Sequence, residues 1–319
     1  MKKVISILTC LCLLMTTGCS RQETIRFGAA GVGGMYYPFA NAFTELASKD
    51  ETGINWKVKS TAGSAANLRL LSDNYIELGI AQADLIEDAY YGKGSFHSGK
   101  YRGYKAVASL YPEACQIVVR KDSDITSLDD LEGKNVSVGE EESGTERNAT
   151  QILEMSGLPD NLVNTKNLDY TDAADQLAEK KIDAFFCTAG ICTTVIEELT
   201  KECDIRLLEI PESCRQKLKK AYSFYDDYVI PAGTYSGQTE DIQTISVQSV
   251  LLASSTLSEK TVQKLTASLF KHIKDIQYSI SINLQLTPQE AVKGITIPFH
   301  PGAEAYYKLE GVELPEVES

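Results

Sequence analysis

The chain has 319 residues, 43% hydrophobic and 24% charged, a length and balance that suit two domains or lobes, each able to bury a core. Its net charge of -13 and pI of 4.8 argue against a basic nucleic-acid face, and no Lys/Arg stripe with interleaved aromatics occurs. Most of that acidity reads as solvated surface, so it does not by itself argue for a cationic ligand.

Lys2 and Lys3 precede about a dozen mostly apolar residues, Val4–Met15, the length of a secretory leader core rather than a membrane span. The run ends at Thr16-Thr17-Gly18-Cys19, which resembles the lipobox of bacterial lipoproteins, with Thr16 where Leu is usual. A signal peptide over residues 1–18 and lipidation of Cys19 are expected, with plain secretion as the alternative. Cys10 and Cys12 leave with such a leader, and Cys115, Cys187, Cys192, Cys203 and Cys214 remain. That odd count leaves a thiol unpaired within the chain. Cys203 and Cys214 flank a short strand-like segment and could pair, whereas Cys115 and Cys187 read as small buried hydrophobes. With only His97, His272 and His300, and no close Cys pairs, no metal site is expected.

The first folded unit is Thr24–Tyr37. Ile25 and Phe27 alternate with Arg26 and Gly28 as in a short strand. Gly28, Gly31, Gly33 and Gly34 interrupt the alternation, and a helix follows with Phe39, Phe43, Leu46 and Ala47 on one face. Pro38 suits the first helical turn. Strand, glycine loop and helix together offer free N–H groups and a positive helix end to an anion; the same pattern also serves as a plain tight connection. A second unit has Trp56, Val58 and Ser60 in a strand, a turn at Thr61-Ala62-Gly63, and Ser64 as N-cap of a helix that buries Leu68 and Leu71. In a third, Ile76, Leu78 and Ile80 form a strand, then Gln82-Ala83-Asp84 leads into a helix through Leu85, Ala89 and Tyr90. Three strand–helix units in succession predict a parallel α/β sheet with ligands beyond the strands' carboxyl ends.

Residues 91–104 read as a loop, and Ala106–Ser109 and Cys115–Arg120 as strands separated by Tyr111-Pro112-Glu113. A helix start at Ser127 and the strand Asn135–Gly139 follow. Glu140–Thr145 then stands directly ahead of a helix and repeats the opening layout, with Ser143, Gly144 and Thr145 offering hydroxyls and N–H groups at its start; a plain helix cap is the alternative. Tyr170–Lys181 reads as a helix, Ile182–Phe186 as an apolar strand with a polar end at Cys187–Gly190, and Thr193–Thr200 as a helix. Ile205–Ile210 is a strand, Pro211–Lys220 a basic helix, and Tyr222–Thr239 a loop-rich stretch. Ile242–Ser254 reads as a strand that crosses between halves, Ser258–Tyr278 as one amphipathic helix, and the tail as a short helix through Tyr306 and Tyr307.

Enzymatic signatures are missing. Gly233–Gly237 reads GTYSG, with Ser236 one place off a nucleophile elbow. After Gly31-Val32-Gly33, Tyr36 stands where a dinucleotide fingerprint needs its third glycine, and no Walker Lys follows. Glu140-Glu141 reads as solvated charge and His300, beside Pro301, as a turn residue. An exported α/β chain with matching anion-friendly loops and no catalytic constellation points to a binding protein that closes two lobes on a small ligand.

Eight segments in order resemble the TAXI family of solute-binding proteins, which serve TRAP (tripartite ATP-independent) transporters. They are GAAGVGGMYYPFANAF, TAGSAANLRLL, LGIAQADLIEDAYYG, SLYPEACQIVVR, GEEESGTERNATQIL, DAFFCTAGICTTVIEEL, IPAGTYSGQTEDI and IPFHPGAEAYYKLEG, from about Gly28 to Gly311. The resemblance implies an α/β, two-lobe periplasmic-binding-protein-like (type II) fold with a hinge and an interlobe ligand cleft. Lobe I would comprise residues 24–112 plus 253–319 and lobe II residues 113–252. It also implies a monomer, lipid-anchored on the periplasmic or outer face of the membrane, that hands a small organic anion to TRAP membrane subunits. The expected ligands are glutamate, glutamine, or 2-oxo and dicarboxylate-like acids, with no cofactor and no catalytic residue. By position, Gly34, Met35, Tyr36, Gly63, Ser64 and Gln82 would line the cleft from the first lobe. Ser143, Gly144, Thr145, Thr188, Ala189 and Gly190 would line it from the second. Met35 replaces the more usual Thr of GGTYY, which removes a hydroxyl donor and adds apolar bulk. A receptor of the same fold that signals to a membrane kinase is the first alternative. A hydrolase using Ser64 or Ser143 is the second, and it lacks a base.

Overall fold

The structure, a computed structural model, describes residues 23–317 apart from 51, 52, 160, 281–283 and 285. The expected leader over residues 1–18 and Cys19 lie outside the described residues. In chain order the first half runs β1 (Glu23–Gly28), α1 (Tyr36–Asp50), β2 (Ile54–Lys59), α2 (Ser64–Ser72), β3 (Leu78–Gln82), α3 (Ala83–Tyr91) and the long β4 (Tyr104–Arg120). Next come β5 (Asn135–Ser137), α4 (Gly144–Ser156), β6 (Asn164–Lys166), α5 (Tyr170–Ala178), β7 (Ala184–Ala189), α6 (Thr194–Glu202), β8 (Ile205–Leu207), α7 (Glu212–Ala221) and β9 (Asp226–Ile230). The chain closes with β10 (Ile242–Ser254), α8 (Glu259–Lys271), α9 (Ile273–Ile280) and α10 (Pro301–Leu309).

The strand order is β2-β1-β3-β10-β4-β7-β5-β6, with β8 added to β4 and β9 to β10. Pairing is parallel within the β1/β2/β3 group and within the β5/β6/β7 group, as strand–helix alternation dictates. The parallel arrangement expected of the first three units holds for β1, β2 and β3, and β4 and β10 add antiparallel strands to the sheet. These two pair antiparallel with each other and with their neighbours on both sides. One apolar core gathers residues from Ile25 to Tyr111 and from Val250 to Val312. Two others lie within Ala114–Val247. Alternation along β4 separates those two: Ala114 and Val118 point into one, and Cys115, Ile117 and Val119 into the other. The result is a two-lobe α/β molecule whose lobes are joined through β4 and β10.

Several expected breaks are not breaks. Tyr111-Pro112-Glu113 continues β4 without interruption. Pro112 brings no N–H to the ladder, and its partner Gln248 sits where the β4/β10 register shifts between Gln248 and Val250. The hydroxyl of Ser249 accepts from the Tyr111 N–H at 3.3 Å and donates to the Tyr111 carbonyl at 2.7 Å, so the irregular rungs stay satisfied. Conversely, the single helix expected over Ser258–Tyr278 is two, separated at His272. The loop-rich stretch after Tyr222 contains β9, and the helix start expected at Ser127 is a single 3-10 turn at Asp129–Leu131. Cys203 and Cys214 do not pair; all five described cysteines are free thiols.

Candidate functional site

Five helices follow directly on strand ends, and the residues at all five starts line one cavity between the lobes. They are α1 after β1, α2 after β2, α3 after β3, α4 after β5 and α5 after β6. The first N–H groups of a helix have no partner within it, and the macrodipole makes that end positive. Asn67 fixes how three of these starts stand together. Fully buried on α2, it donates to the carbonyls of Gly28 at 3.2 Å and Ile80 at 2.9 Å and accepts from the Thr61 hydroxyl at 2.8 Å. The ends of β1, β2 and β3 are thereby tied to one amide.

The cavity measures ≈ 50 Å³ and is continuous in its lining with a neighbouring space of ≈ 290 Å³, the two sharing Gly31, Ala62, Glu140, Asp169 and Tyr170. Of the residues expected from sequence, Gly34, Met35, Tyr36, Gly63, Ser64 and Gln82 line it from the first lobe. Ser143, Gly144, Thr145, Thr188 and Ala189 line it from the second. Gly190 lies outside the wall, its carbonyl accepting from the Thr193 hydroxyl at 2.5 Å. Met35 is buried and shared between the wall and the first-lobe core.

Two helix starts differ in detail from the expectation. Gly63, not Ser64, is the N-cap of α2, with φ 126°, a conformation open to glycine and strained for other residues. Ser64 is the first helical residue, and its hydroxyl oxygen accepts from the Gln82 N–H at 3.1 Å. At α4 the expected cap is present: Ser143 Oγ accepts from the Glu146 N–H at 3.0 Å, and the Glu146 carboxylate accepts from the Glu142 N–H at 2.9 Å. Ser143 keeps its own O–H proton to donate. Thr145 is more committed. Its oxygen accepts from the Thr188 N–H at 3.2 Å and stands 2.5 Å from Tyr170 Oη, which in turn donates to the Thr188 carbonyl at 3.0 Å.

The lobes meet across this space. A Cβ on Gly144 would fall 2.3 Å from the Gln82 amide, and one on Gly63 would fall 3.3 Å from Ser143 Cα. Ala65 N–H donates to the Glu142 carbonyl at 3.1 Å. Two ion pairs of opposite polarity join the lobes alongside it: Arg69 with Glu142, and Arg147 with Asp88 at 2.7 Å.

Sequence reasoning missed Tyr170, Glu113 and Asp169, and it read Glu140, which stands on the cavity wall, as solvated charge. Glu113 lies on β4, 2% exposed, and accepts from Tyr36 Oη at 2.6 Å. Burial raises its carboxyl to about 8, against the pull of hydrogen bonds from Tyr36 and Gln82, and the charge of Asp84 adds to the rise. Asp84, in the first turn of α3, is pushed by burial to about 7, with the Leu85 N–H and then Arg147 pulling down. Burial also carries the phenols of Tyr36 and Tyr170 well above their ordinary range. The available signal for Glu113 was a lone carboxylate inside the apolar run LYPEACQIVV. Among the described residues no Lys, Arg or His lines the cavity, while Glu113, Glu140 and Asp169 do. His300 caps α10 by accepting from the Gly302 N–H, and His272 is paired with Asp50. The hydroxyls of Ser64 and Ser143 are engaged with the N–H groups of Gln82 and Glu146.

A family model matches residues 27–311, nearly all of the described chain. The chain belongs to the NMT1-like family. Among solved structures, this NMT1-like protein resembles PhnD1 from Prochlorococcus marinus in complex with methylphosphonate. The TM-score is 0.58 at 12% identity, covering 82% of this chain and 92% of that one. It also resembles the binding protein component of an ABC phosphonate transporter from Pseudomonas aeruginosa (0.53, 13%, covering 82% and 80%). A third is the alkanesulfonate-binding protein SsuA from Xanthomonas axonopodis pv. citri bound to MOPS (0.51, 16%, covering 90% and 83%). At such identities the likeness establishes the fold: mixed α/β, two lobes, periplasmic-binding-protein-like. Among the described residues no helix is long and apolar enough to cross a membrane.

Proposed function

We propose that the protein is an extracytoplasmic solute-binding protein that captures a small organic acid in the interlobe cavity and delivers it to membrane transport subunits. One observation carries this reading: residues at five helix starts line a single cavity that contains no basic side chain. A carboxylate can be held there by backbone N–H groups at helix starts and by the Ser143 hydroxyl, without a buried Arg. The lobes, residues 24–112 plus 253–319 and 113–252, would move about β4 and β10. Contacts available only in the closed form, such as Gly144 on Gln82, would shift the population toward closure when ligand binds. Lipid attachment at Cys19 would keep the protein at the membrane.

A thermal-shift screen of acidic amino acids, 2-oxo acids and dicarboxylates tests the ligand class, because a ligand that binds only the native state raises its melting point. Stabilisation by neutral or cationic solutes alone would end the organic-acid reading. Delivery to TRAP subunits is supported by the eight ordered motifs. A second reading, delivery to an ABC transporter, is favoured by structural neighbours such as the phosphonate transporter component. Uptake in cells depleted of ATP but holding an ion gradient supports TRAP delivery; uptake that survives collapse of the gradient supports the ABC reading.

A further inference from the structure

The floor of the cavity carries a carboxyl group that a cradle for anions does not require. Glu113 reaches it from β4 and is met by Tyr36 from α1, Gln82 from the end of β3 and Asp84 from the first turn of α3. Tyr111 on its own strand, Tyr170 on α5, and the thiols of Cys115 on β4 and Cys187 on β7 also feel its charge. Glu140 and Asp169 stand on the same wall. None of these groups is a cation. Arg147, which acts on Asp84, is held by Asp88. On the same floor the buried Oε1 of Gln82 has no hydrogen-bond partner among the described residues and calls for a donor. An ionised Glu113 would face the ligand's carboxylate across a poorly screened space.

We propose that Glu113 enters the ligand complex as the neutral carboxylic acid, so that the cleft takes an organic anion together with one proton. The inference rests on the organic-acid reading of the cavity. Its balance is simple: Glu113 carboxylate plus a solvent proton gives the acid, no bond to the ligand forms or breaks, and the acid O–H donates within the cavity. Burial places the free group near 8, so below that pH the proton is already in place, and above it each anion bound must bring one in. Glu113 thereby becomes the residue that sets which charge type the site accepts.

Two measurements separate this inference from the reading beneath it. Infrared difference spectra of the unliganded protein, wild type minus Glu113→Gln, should show a protonated-carboxyl C=O band near neutral pH that titrates away as pH rises through about 8. Absence of that band both there and in the protein saturated with L-glutamate or 2-oxoglutarate overturns the proposal. Calorimetric titration with 2-oxoglutarate and with L-glutamate, in two buffers of different ionisation enthalpy, reads the linkage. The expected result is uptake of up to one proton and a Kd that rises roughly tenfold per pH unit above the group's pKa. Glu113→Gln should lose the pH slope, and Asp84→Asn should move the slope to lower pH. Proton release on binding, or a folded Glu113→Gln that loses L-glutamate, whose ammonium would then be the partner of an ionised Glu113, would refute it. If neither probe binds wild type while the band is present, it is the organic-acid reading that fails.

Discussion

Replacing Arg147 with Met removes the cation that joins the two lobes along one flank of the cleft. Arg147 projects from α4 and donates to Asp88 on α3 at 2.7 Å, with side chains 25% and 14% exposed. Burial raises the Asp88 carboxyl and Arg147 pulls it back, so the variant leaves Asp88 poorly solvated and unpaired, with buried Asp84 beside it. Breaking a fully buried pair costs about 3–5 kcal/mol and an exposed one about 0–1, so this intermediate pair should be worth roughly 1–2 kcal/mol. Neither residue lines the cavity, so the loss falls on the closed arrangement and not on ligand contacts. With about 1.4 kcal/mol per factor of ten, ligand affinity should weaken on the order of tenfold. The assay is a double-mutant cycle over Arg147→Met and Asp88→Leu, read as Kd for an anion found by the thermal-shift screen, with small-angle scattering to follow closure. A coupling energy below about 0.3 kcal/mol would refute the reasoning, because the pair would then be a surface contact of no consequence.

Gly144→Ala should weaken binding by at least tenfold, since its Cβ would meet the Gln82 amide at 2.3 Å only when the lobes are together. Its thermal melting without ligand should change little, because Ala suits a helix start better than a collision across the cleft would suggest. Ser143→Ala removes the α4 cap and should cost about 1 kcal/mol in chemical denaturation as well as lowering ligand affinity. Ser255→Ala serves as its control, away from the cavity wall. Stability without ligand should fall as pH rises from about 5 to 8. Glu113 and Asp84 have native values raised above those of the unfolded chain, so the native state binds more protons there, and stability present at low pH is lost as pH passes the native values near 7 and 8. Denaturant midpoints across that range check it; the double variant Glu113→Gln with Asp84→Asn should flatten the slope, and an unchanged slope would show that the two carboxyls are solvated.

The strand–helix units could be read from the sequence because each carries its own local signal. Phe39, Phe43 and Ala47 recur at helical spacing, and all three are buried on α1. Ser143 caps α4 through chemistry that acts over three residues. What could not be read depends on partners distant in sequence. Pro112 looks like a break until Gln248 and the Ser249 hydroxyl are placed opposite it, more than a hundred residues later. Glu113 looks like the polar end of that break until β4 is seen to run through it. Its burial follows from α1 and β3 closing over the same rung. Gly63 and Ser64 exchanged roles for a similar reason: the hydroxyl that would have capped α2 is drawn instead to the N–H of Gln82 on another strand.

These distant partners bear on selectivity as much as on fold. Helix starts attract any small anion, and five of them around one cavity give attraction without discrimination. Discrimination has to come from groups that oppose some ligands, and here the opposing group is carboxylate, not bulk alone. Glu113, Glu140 and Asp169 face the same space as the positive helix ends. A phosphate-like dianion would gain from the helix starts and lose against every one of those acids. A carboxylate group carries one negative charge where a phosphate-like group carries two, so it gains nearly as much and loses less, and loses least when Glu113 is protonated. On the organic-acid reading, the methylphosphonate held by one structural neighbour is a poor guide to this cleft despite the shared fold. In side-by-side titration near neutral pH, methylphosphonate should bind at least tenfold more weakly than a carboxylate of similar size. Glu113→Gln should leave that gap in place across pH, because the proton that enters with ligand is the same for both anions.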